Sequence, residues 1–81
     1  MPKINGKSVT KAQADVYNVI EARGPLPDHA LVPLAQHVLR SPQSSSGIRS
    51  RRCELWSKGL LRHVGTEPTR SGRKAGVFEV V

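Results

Sequence analysis

Apolar residues recur at intervals of three and four along residues 11–23, the spacing that places them on one face of an α-helix. Thr10 and Gln13 stand three residues apart in the pattern of a capping box, which marks where such a helix begins. Gly24, followed by a proline, marks its end, and Leu26 in the connector would add a short extended edge. We therefore predict a structural helix over 11–23, with a stripe formed by Ala12, Val16, Val19 and Ile20.

A second apolar stripe with helical spacing runs through residues 29–39. Asp28 is a favourable N-cap for this helix. Pro33 lies close enough to the first turn for its missing N–H to cost little. Pro42 disfavours helix at the residue before it, so we expect a turn at residues 40–43 to end the second helix.

The next segment, residues 45–58, combines a helical pattern with an unusual polar face. The serines at 44–46 offer N-cap oxygens, and Gly59 stands where a left-handed residue would end the helix. At about 100° per residue, Ile48 and Leu55 fall on one buried stripe. The opposite face is small, polar and cationic, and it comprises Ser46, Arg49, Ser50, Cys53 and Ser57.

Three larger residues border the apolar stripe of this third helix. The stems of Arg51 and Arg52 would lie along the core while their guanidinium groups reach outward. Trp56 is interpreted as a core residue in preference to an anchor for a partner. A face of serine and arginine can approach a polyanion closely, because arginine forks onto guanine or phosphate and serine donates to either. The alternative is a solvated surface helix that happens to be basic.

The last third of the chain predicts two strands, residues 60–64 and 76–81. The loop between them, 65–75, contains two glycines, a proline and three cations. Together these segments predict a β-hairpin with a projecting basic tip. An exposed strand edge at Val80 and Val81 would allow pairing with a second copy, which is a hypothesis of dimerisation.

The positive charge of the chain is concentrated in one region. The net charge is +7, and residues 40–74 carry all of it, since nine basic and two acidic residues lie there. That localisation is the electrostatic pattern expected of a nucleic-acid interface. Residues 1–9 are polar and basic, and we interpret them as a flexible arm preceding a domain over 10–81.

Several other functions find no support in the residues. The three histidines and Cys53 match no zinc-site spacing, and Cys53 lacks the partners of a catalytic nucleophile. Paired carboxylates, phosphate loops and dinucleotide motifs are missing, so we expect no cofactor, no metal and no enzyme activity. No apolar run is long enough for a membrane span, and a lone cysteine cannot form an internal disulfide. These features fit a cytoplasmic protein.

Three predicted helices followed by a strand pair with a basic tip resemble a winged helix-turn-helix domain over residues 10–81. The sequence Glu-Leu-x-x-Lys-Gly-Leu-Leu at 54–61 is similar to the close of the recognition helix in many winged-helix regulators. Residues 46–55 and 71–78 look like those of small winged-helix proteins of bacteriophages and their actinobacterial hosts. In one departure, Arg52 occupies a position that is often aliphatic, so either the core is shallower or Arg52 reaches past Trp56.

The resemblance implies roles for the matching residues. The third helix would enter the major groove by its N-terminal half, and Arg51 and Arg52 would reach phosphates or the helix-turn-helix core. The wing, residues 65–75, would lie along the backbone or in the minor groove. The implied DNA-binding residues are Ser44, Ser45, Ser46, Arg49, Ser50, Arg51, Arg52, Cys53, Arg70, Arg73 and Lys74.

An α+β winged helix predicts sequence-specific binding of double-stranded DNA by a repressor-like transcriptional regulator. Such a protein would act at the nucleoid in the cytoplasm, or in the host cytoplasm if a phage encodes it. Two alternatives stay open: a DNA-bending accessory factor for recombination or excision, and a module that binds a host protein through the same basic face. Because a domain of this size makes a small DNA interface, specificity would need a homodimer, tandem sites or a protein partner.

Overall fold

The computed structural model describes residues 2–39, 43–69 and 71–81. Within these ranges the chain forms an α+β domain of three helices, a three-stranded sheet and a separate two-stranded sheet. The predicted fold class is confirmed at this level, although two short strands precede the first helix. The elements are β1 (Lys3–Ile4), β2 (Lys7–Ser8), α1 (Lys11–Arg23), β3 (Leu26–Pro27), α2 (Asp28–Val38), α3 (Ser45–Ser57), β4 (Leu61–Pro68) and β5 (Lys74–Val80).

The first helix is confirmed from its cap to its last residue. The Thr10 hydroxyl accepts from the Gln13 backbone N–H at 3.1 Å, and the Gln13 side chain accepts from the Thr10 N–H at 3.0 Å. Gly24 ends the helix with a positive φ of 83°, a conformation that costs glycine little. The short extended edge expected at Leu26 is present as β3.

The second helix differs from the prediction at its start. Asp28 is the first helical residue, and Pro27 holds the cap position without a side-chain hydrogen bond. The Asp28 carboxylate is instead engaged by Arg52 of α3. The expected role of Asp28 as N-cap is therefore wrong, because an arginine distant in sequence binds its carboxylate. The turn expected at 40–43 falls largely on residues 40–42, which lie outside the described ranges.

The third helix lies where the caps predicted it. The Ser44 hydroxyl accepts from the Gly47 N–H at 3.1 Å, and Gly59 adopts a φ of 77° just beyond the last turn. Ile48 and Leu55 are completely buried, which confirms the predicted rotation of the helix.

The three-stranded sheet has the order β3-β5-β4 with antiparallel pairing throughout. β4 continues to Pro68 and β5 begins at Lys74, so the predicted strand ends at 64 and 76, and with them the predicted loop over 65–75, are wrong. Val80 pairs with Leu61, and the Val81 N–H donates to the Leu60 carbonyl oxygen at 3.1 Å. One side of the expected dimerisation edge is therefore already occupied, and dimerisation stays a prediction.

The N-terminal segment is an ordered hairpin where the sequence predicted a flexible arm. Asn5 and Gly6 have φ values of 51° and 79°, which suit the tight two-residue turn between β1 and β2. Val9 is completely buried, and its N–H donates to the Pro2 carbonyl oxygen. The hairpin is thus fixed to the domain by a core residue that follows it directly.

The hydrophobic core lies where the helices meet one face of the three-stranded sheet. We call this the inner face; it carries Phe78 and its direct neighbour His63. The core comprises Val9, Val16, Tyr17, Val19, Ile20, Leu31, Val32, Ala35, Ile48, Leu55, Leu60, Leu61 and Phe78. The apolar side of α3 therefore packs into the core through Ile48 and Leu55, while its polar side faces solvent.

Candidate nucleic-acid interface

The solvent-facing side of α3 carries the polar residues that the helical angles predicted. All five are exposed: Ser46, Arg49, Ser50, Cys53 and Ser57. They form a shallow surface without large side chains, apart from Arg49. A helix face with small polar side chains is compatible with a groove of nucleic acid, and the Arg49 guanidinium supplies several hydrogen-bond donors.

The acidic residue of α3 is turned away from this surface. Glu54 accepts from Arg51 Nε at 2.6 Å and from Gln13 Nε2 of α1 at 2.8 Å. Hydrogen bonds from Arg51, and then from Gln13, lower the pKa of the Glu54 carboxyl below its ordinary value. Arg51, proposed from the resemblance as a phosphate or core contact, is committed to this pair, which ties α3 to α1.

Arg52 is similarly committed to contacts inside the domain. Its Nε and Nη2 donate to the two carboxylate oxygens of Asp28 at 2.9 and 2.6 Å. The guanidinium also lies over the Phe78 ring, 4.3 Å from its centre. Of the two roles that the resemblance implied for Arg52, this geometry fits the core role, because the side chain joins α3, α2 and the sheet.

The serines at the start of α3 have unequal roles. Ser44 uses its hydroxyl oxygen as the helix cap, whereas Ser45 and Ser46 are exposed in the first turn. The first-turn N–H groups and the helix dipole favour an anion at this end. Ser45 and Ser46 thus extend the polar surface toward the N-terminus of the helix.

The β4–β5 hairpin carries the remaining predicted cations. A tight turn closes it: the Thr69 N–H donates to the Arg73 carbonyl oxygen at 2.7 Å, and Gly72 adopts a φ of 81°. Arg73 and Lys74 are exposed at the end of this hairpin. Arg70 lies outside the described residues. The structure therefore places two of the three predicted wing cations on one projecting tip.

Trp56 is more exposed than the sequence predicted. It was interpreted as a core residue, but 47% of it is exposed. Its ring packs edge-on against Phe78, with ring centres 5.2 Å apart, and lies 6.4 Å from the His63 ring. The helical angle of Trp56, at the border of the stripe, was the available signal for this half-exposed position.

Ion pairs with lysine or arginine engage four of the six acidic residues: Asp15 with Lys11, Asp28 with Arg52, Glu54 with Arg51, and Glu79 with Arg62. A fifth, Glu67, has a carboxylate oxygen 3.3 Å from His29 Nε2. Arg49, Arg73 and Lys74 have no such partner among the described residues. The positive field of α3 and the hairpin tip is therefore not cancelled locally.

Among the described residues, no three His, Cys, Asp or Glu side chains cluster closely enough to hold a metal ion. Of the helices described, none is sufficiently long and apolar to cross a membrane. Neither the protein-family models nor the curated proteins include a match to this chain.

Proposed function

We propose that this chain is a winged helix-turn-helix protein that binds double-stranded DNA, with α3 as the recognition helix and the β4–β5 hairpin as the wing. The observation that carries the proposal is the exposed side of α3, which is polar, cationic and free of acid because Glu54 is held by Arg51 and Gln13. An α-helix with small side chains fits the major groove. The hairpin tip would then contact phosphates of the backbone or of the minor groove.

The residues of the interface would divide between two tasks. Arg49, in the N-terminal half of α3, would read a base edge, and Ser46, Ser50 and Cys53 would line the same approach. Arg73 and Lys74 would neutralise phosphates and fix the orientation of the domain without reading sequence. In this proposal the cellular role is regulation of transcription by occupying an operator.

Fluorescence anisotropy with a labelled short duplex, followed across a salt series, tests the proposal. Log affinity should fall linearly with log salt, by about 0.9 for each phosphate that the protein neutralises. Duplexes selected from a random pool should bind more tightly than the unselected pool. Absence of binding at low salt would contradict the proposal and direct the search to a protein partner.

Arg49→Ala tests whether Arg49 reads a base. If Arg49 forks onto a guanine, the substitution should cost about 1–3 kcal/mol on the selected duplex and relax the preference at one base pair. Arg23→Ala is the matched control, because it removes one exposed arginine from α1 and leaves α3 intact. Equal losses for both variants would show that Arg49 contributes only net charge.

A further inference from the structure

Trp56, His63 and Phe78 form an aromatic corner where α3 meets β4 and β5. The His63 and Phe78 rings are 5.3 Å apart, and Trp56 packs edge-on against Phe78. Gly76 packs against this cluster, which leaves little room for a side chain: a Cβ at this position would lie 3.0 Å from His63 Nε2 and 3.1 Å from Phe78 Cε2. Phe78 is buried beneath the corner, whereas Trp56 and His63 face solvent.

The position of Trp56 on α3 places it beside the proposed recognition surface. Trp56 follows Arg49 by seven residues, so the two lie on nearly the same side of the helix, about 10 Å apart along its axis. The indole leans toward the hairpin, since its ring packs on Phe78 of β5. A body lying along α3 and against the hairpin would therefore meet Arg49 first and Trp56 two turns later.

The charges around the aromatic corner favour an anionic occupant. Alternate residues of β5 share a face, so Lys74 and Gly76 lie on the inner face with Phe78. The sheet acids, Glu67 and Glu79, belong to the opposite face by the same register. Asp28, the acid nearest the corner, is held by Arg52. The corner thus lies between Arg49 and Lys74, with no free carboxylate on that face in the described part of the chain.

Trp56 has the properties of a fixed contact residue. Its ring is held by Phe78 yet is half exposed, and no acceptor among the described residues is bonded to its indole N–H. A tryptophan that is held by packing but half exposed presents a rigid apolar ring face and an N–H donor, a combination typical of interfaces. Binding would immobilise little that is mobile, because the packing already restrains the ring.

We propose that Trp56 contacts the sugar–phosphate backbone of duplex DNA in the angle between α3 and the hairpin, with the ring against a sugar and the N–H donating to a phosphate oxygen. This inference rests on the proposed function and extends it, because it assigns a backbone contact that uses an aromatic residue and no charge. The contact would hold the flank of the duplex between recognition helix and wing.

The fluorescence of Trp56 tests the inference in the unmodified protein, since the chain has one tryptophan. Binding is followed independently by the anisotropy of a labelled duplex. Saturating duplex should lower quenching of Trp56 by acrylamide at least about twofold, because an interface core excludes solvent. Poly-glutamate of equal charge should give no such protection. Protection by poly-glutamate equal to that by duplex would overturn the assignment to DNA.

The two proposals fail in different ways in this experiment. Unchanged quenching while anisotropy reports saturation would overturn the role of Trp56 and leave DNA binding intact. Absence of an anisotropy change at low salt would overturn both.

Substitutions of Trp56 supply a second measurement. Trp56→Ala should weaken duplex binding about three- to tenfold on selected and unselected sequences alike. Trp56→Phe, which retains a ring on Phe78, should fall between the alanine variant and wild type. Val38→Ala is the matched control, since Val38 is also a half-exposed apolar residue and lies at the end of α2. Wild-type affinity in Trp56→Ala, with its fold intact by circular dichroism, would contradict the contact.

Discussion

Arg52 shows at the scale of one residue how a surface arginine becomes part of the core. Its guanidinium donates twice to Asp28 and stacks over Phe78, so three elements meet on one planar group. Only 15% of the side chain remains exposed. The sequence predicted that the Arg52 guanidinium reaches outward, which is wrong, because Asp28 and the Phe78 ring hold it inside the domain. Its partner, Asp28, lies 24 residues away in sequence.

The Arg52 contacts predict a specific loss on substitution by lysine. Arg52→Lys keeps the charge but loses the second hydrogen bond and the planar stack, so it should cost about 1–2 kcal/mol of unfolding free energy. Urea unfolding with an unchanged m-value measures this. Arg62→Lys is the control, because the Arg62 side chain of the pair with Glu79 is 64% exposed and its replacement should change stability by less than about 0.5 kcal/mol. Equal losses would assign no special role to Arg52.

The β4–β5 hairpin is the element whose length departs most from the expectation. Regular pairing continues to Pro68 and Lys74, past a bulge between His63 and Gly65, so the basic tip stands well clear of the core. Lys74 lies four residues along β5 from the buried Phe78, about 13 Å at the usual rise of a strand. The longer hairpin therefore separates Arg73 and Lys74 from the core.

Removing both tip charges tests this element as a whole. Arg73→Ala combined with Lys74→Ala should weaken binding to all duplexes alike and flatten the salt slope by about two, because two phosphate contacts are lost. The double variant Lys3→Ala/Arg23→Ala removes the same charge from elsewhere and should leave the slope nearly unchanged. A loss confined to one sequence would show that the tip reads bases.

Local signals explain which elements could be predicted. Each helix signal spans only a few residues of sequence, and the helix positions could therefore be predicted. These signals are the capping box at Thr10, the serine cap of α3, and the stripe through Ile48 and Leu55. The small hairpin at the start was missed although its Asn-Gly turn is a local signal, because strands of two residues carry no alternation. The loop boundaries failed because Thr66 and Glu67 pair by register, which composition does not reveal.

The candidate surface was predictable only in part for the same reason. Helical angles correctly separated the exposed face from the buried stripe of α3. The pair of Arg51 with Glu54 is local, at positions i and i+3. The contacts of Glu54 with Gln13 and of Arg52 with Asp28 were not predictable, because these partners come from α1 and α2. Contacts across 41 and 24 residues are set by packing, and periodicity carries no information about them.

At the scale of the whole molecule, most acidic residues form ion pairs within the fold, while Arg49, Arg73 and Lys74 face solvent without such a partner among the described residues. The ion pairs connect α3 to α2 through Asp28 and the two long strands through Glu79. Negative charge that would weaken attraction to a polyanion is therefore paired within the fold.

Glu54 provides the pH dependence of this arrangement. Its folded-state pKa is lowered by the bonds from Arg51 and Gln13, so its stabilising contribution is present above the ordinary carboxyl pKa and is lost as the pH falls through the lowered value. Glu54→Gln should therefore be less stable than wild type at neutral pH, with the difference shrinking in acid. Urea unfolding at a series of pH values measures it.

A double-mutant cycle gives the control for Glu54. In an Arg51→Ala background, the neutral-pH effect of Glu54→Gln should be smaller, because Arg51 is the leading cause of the lowered pKa. A difference between wild type and Glu54→Gln that stays constant from neutral to acid pH would refute the assignment.

The central position of β5 has a consequence for folding. β3 and β4 each pair with β5 and not with each other, so the sheet has no ladder until β5 lies between them. Without β5, β4 is an open strand, and open strands favour association between chains. A chain that ends before Lys74 should therefore self-associate more than the full chain does.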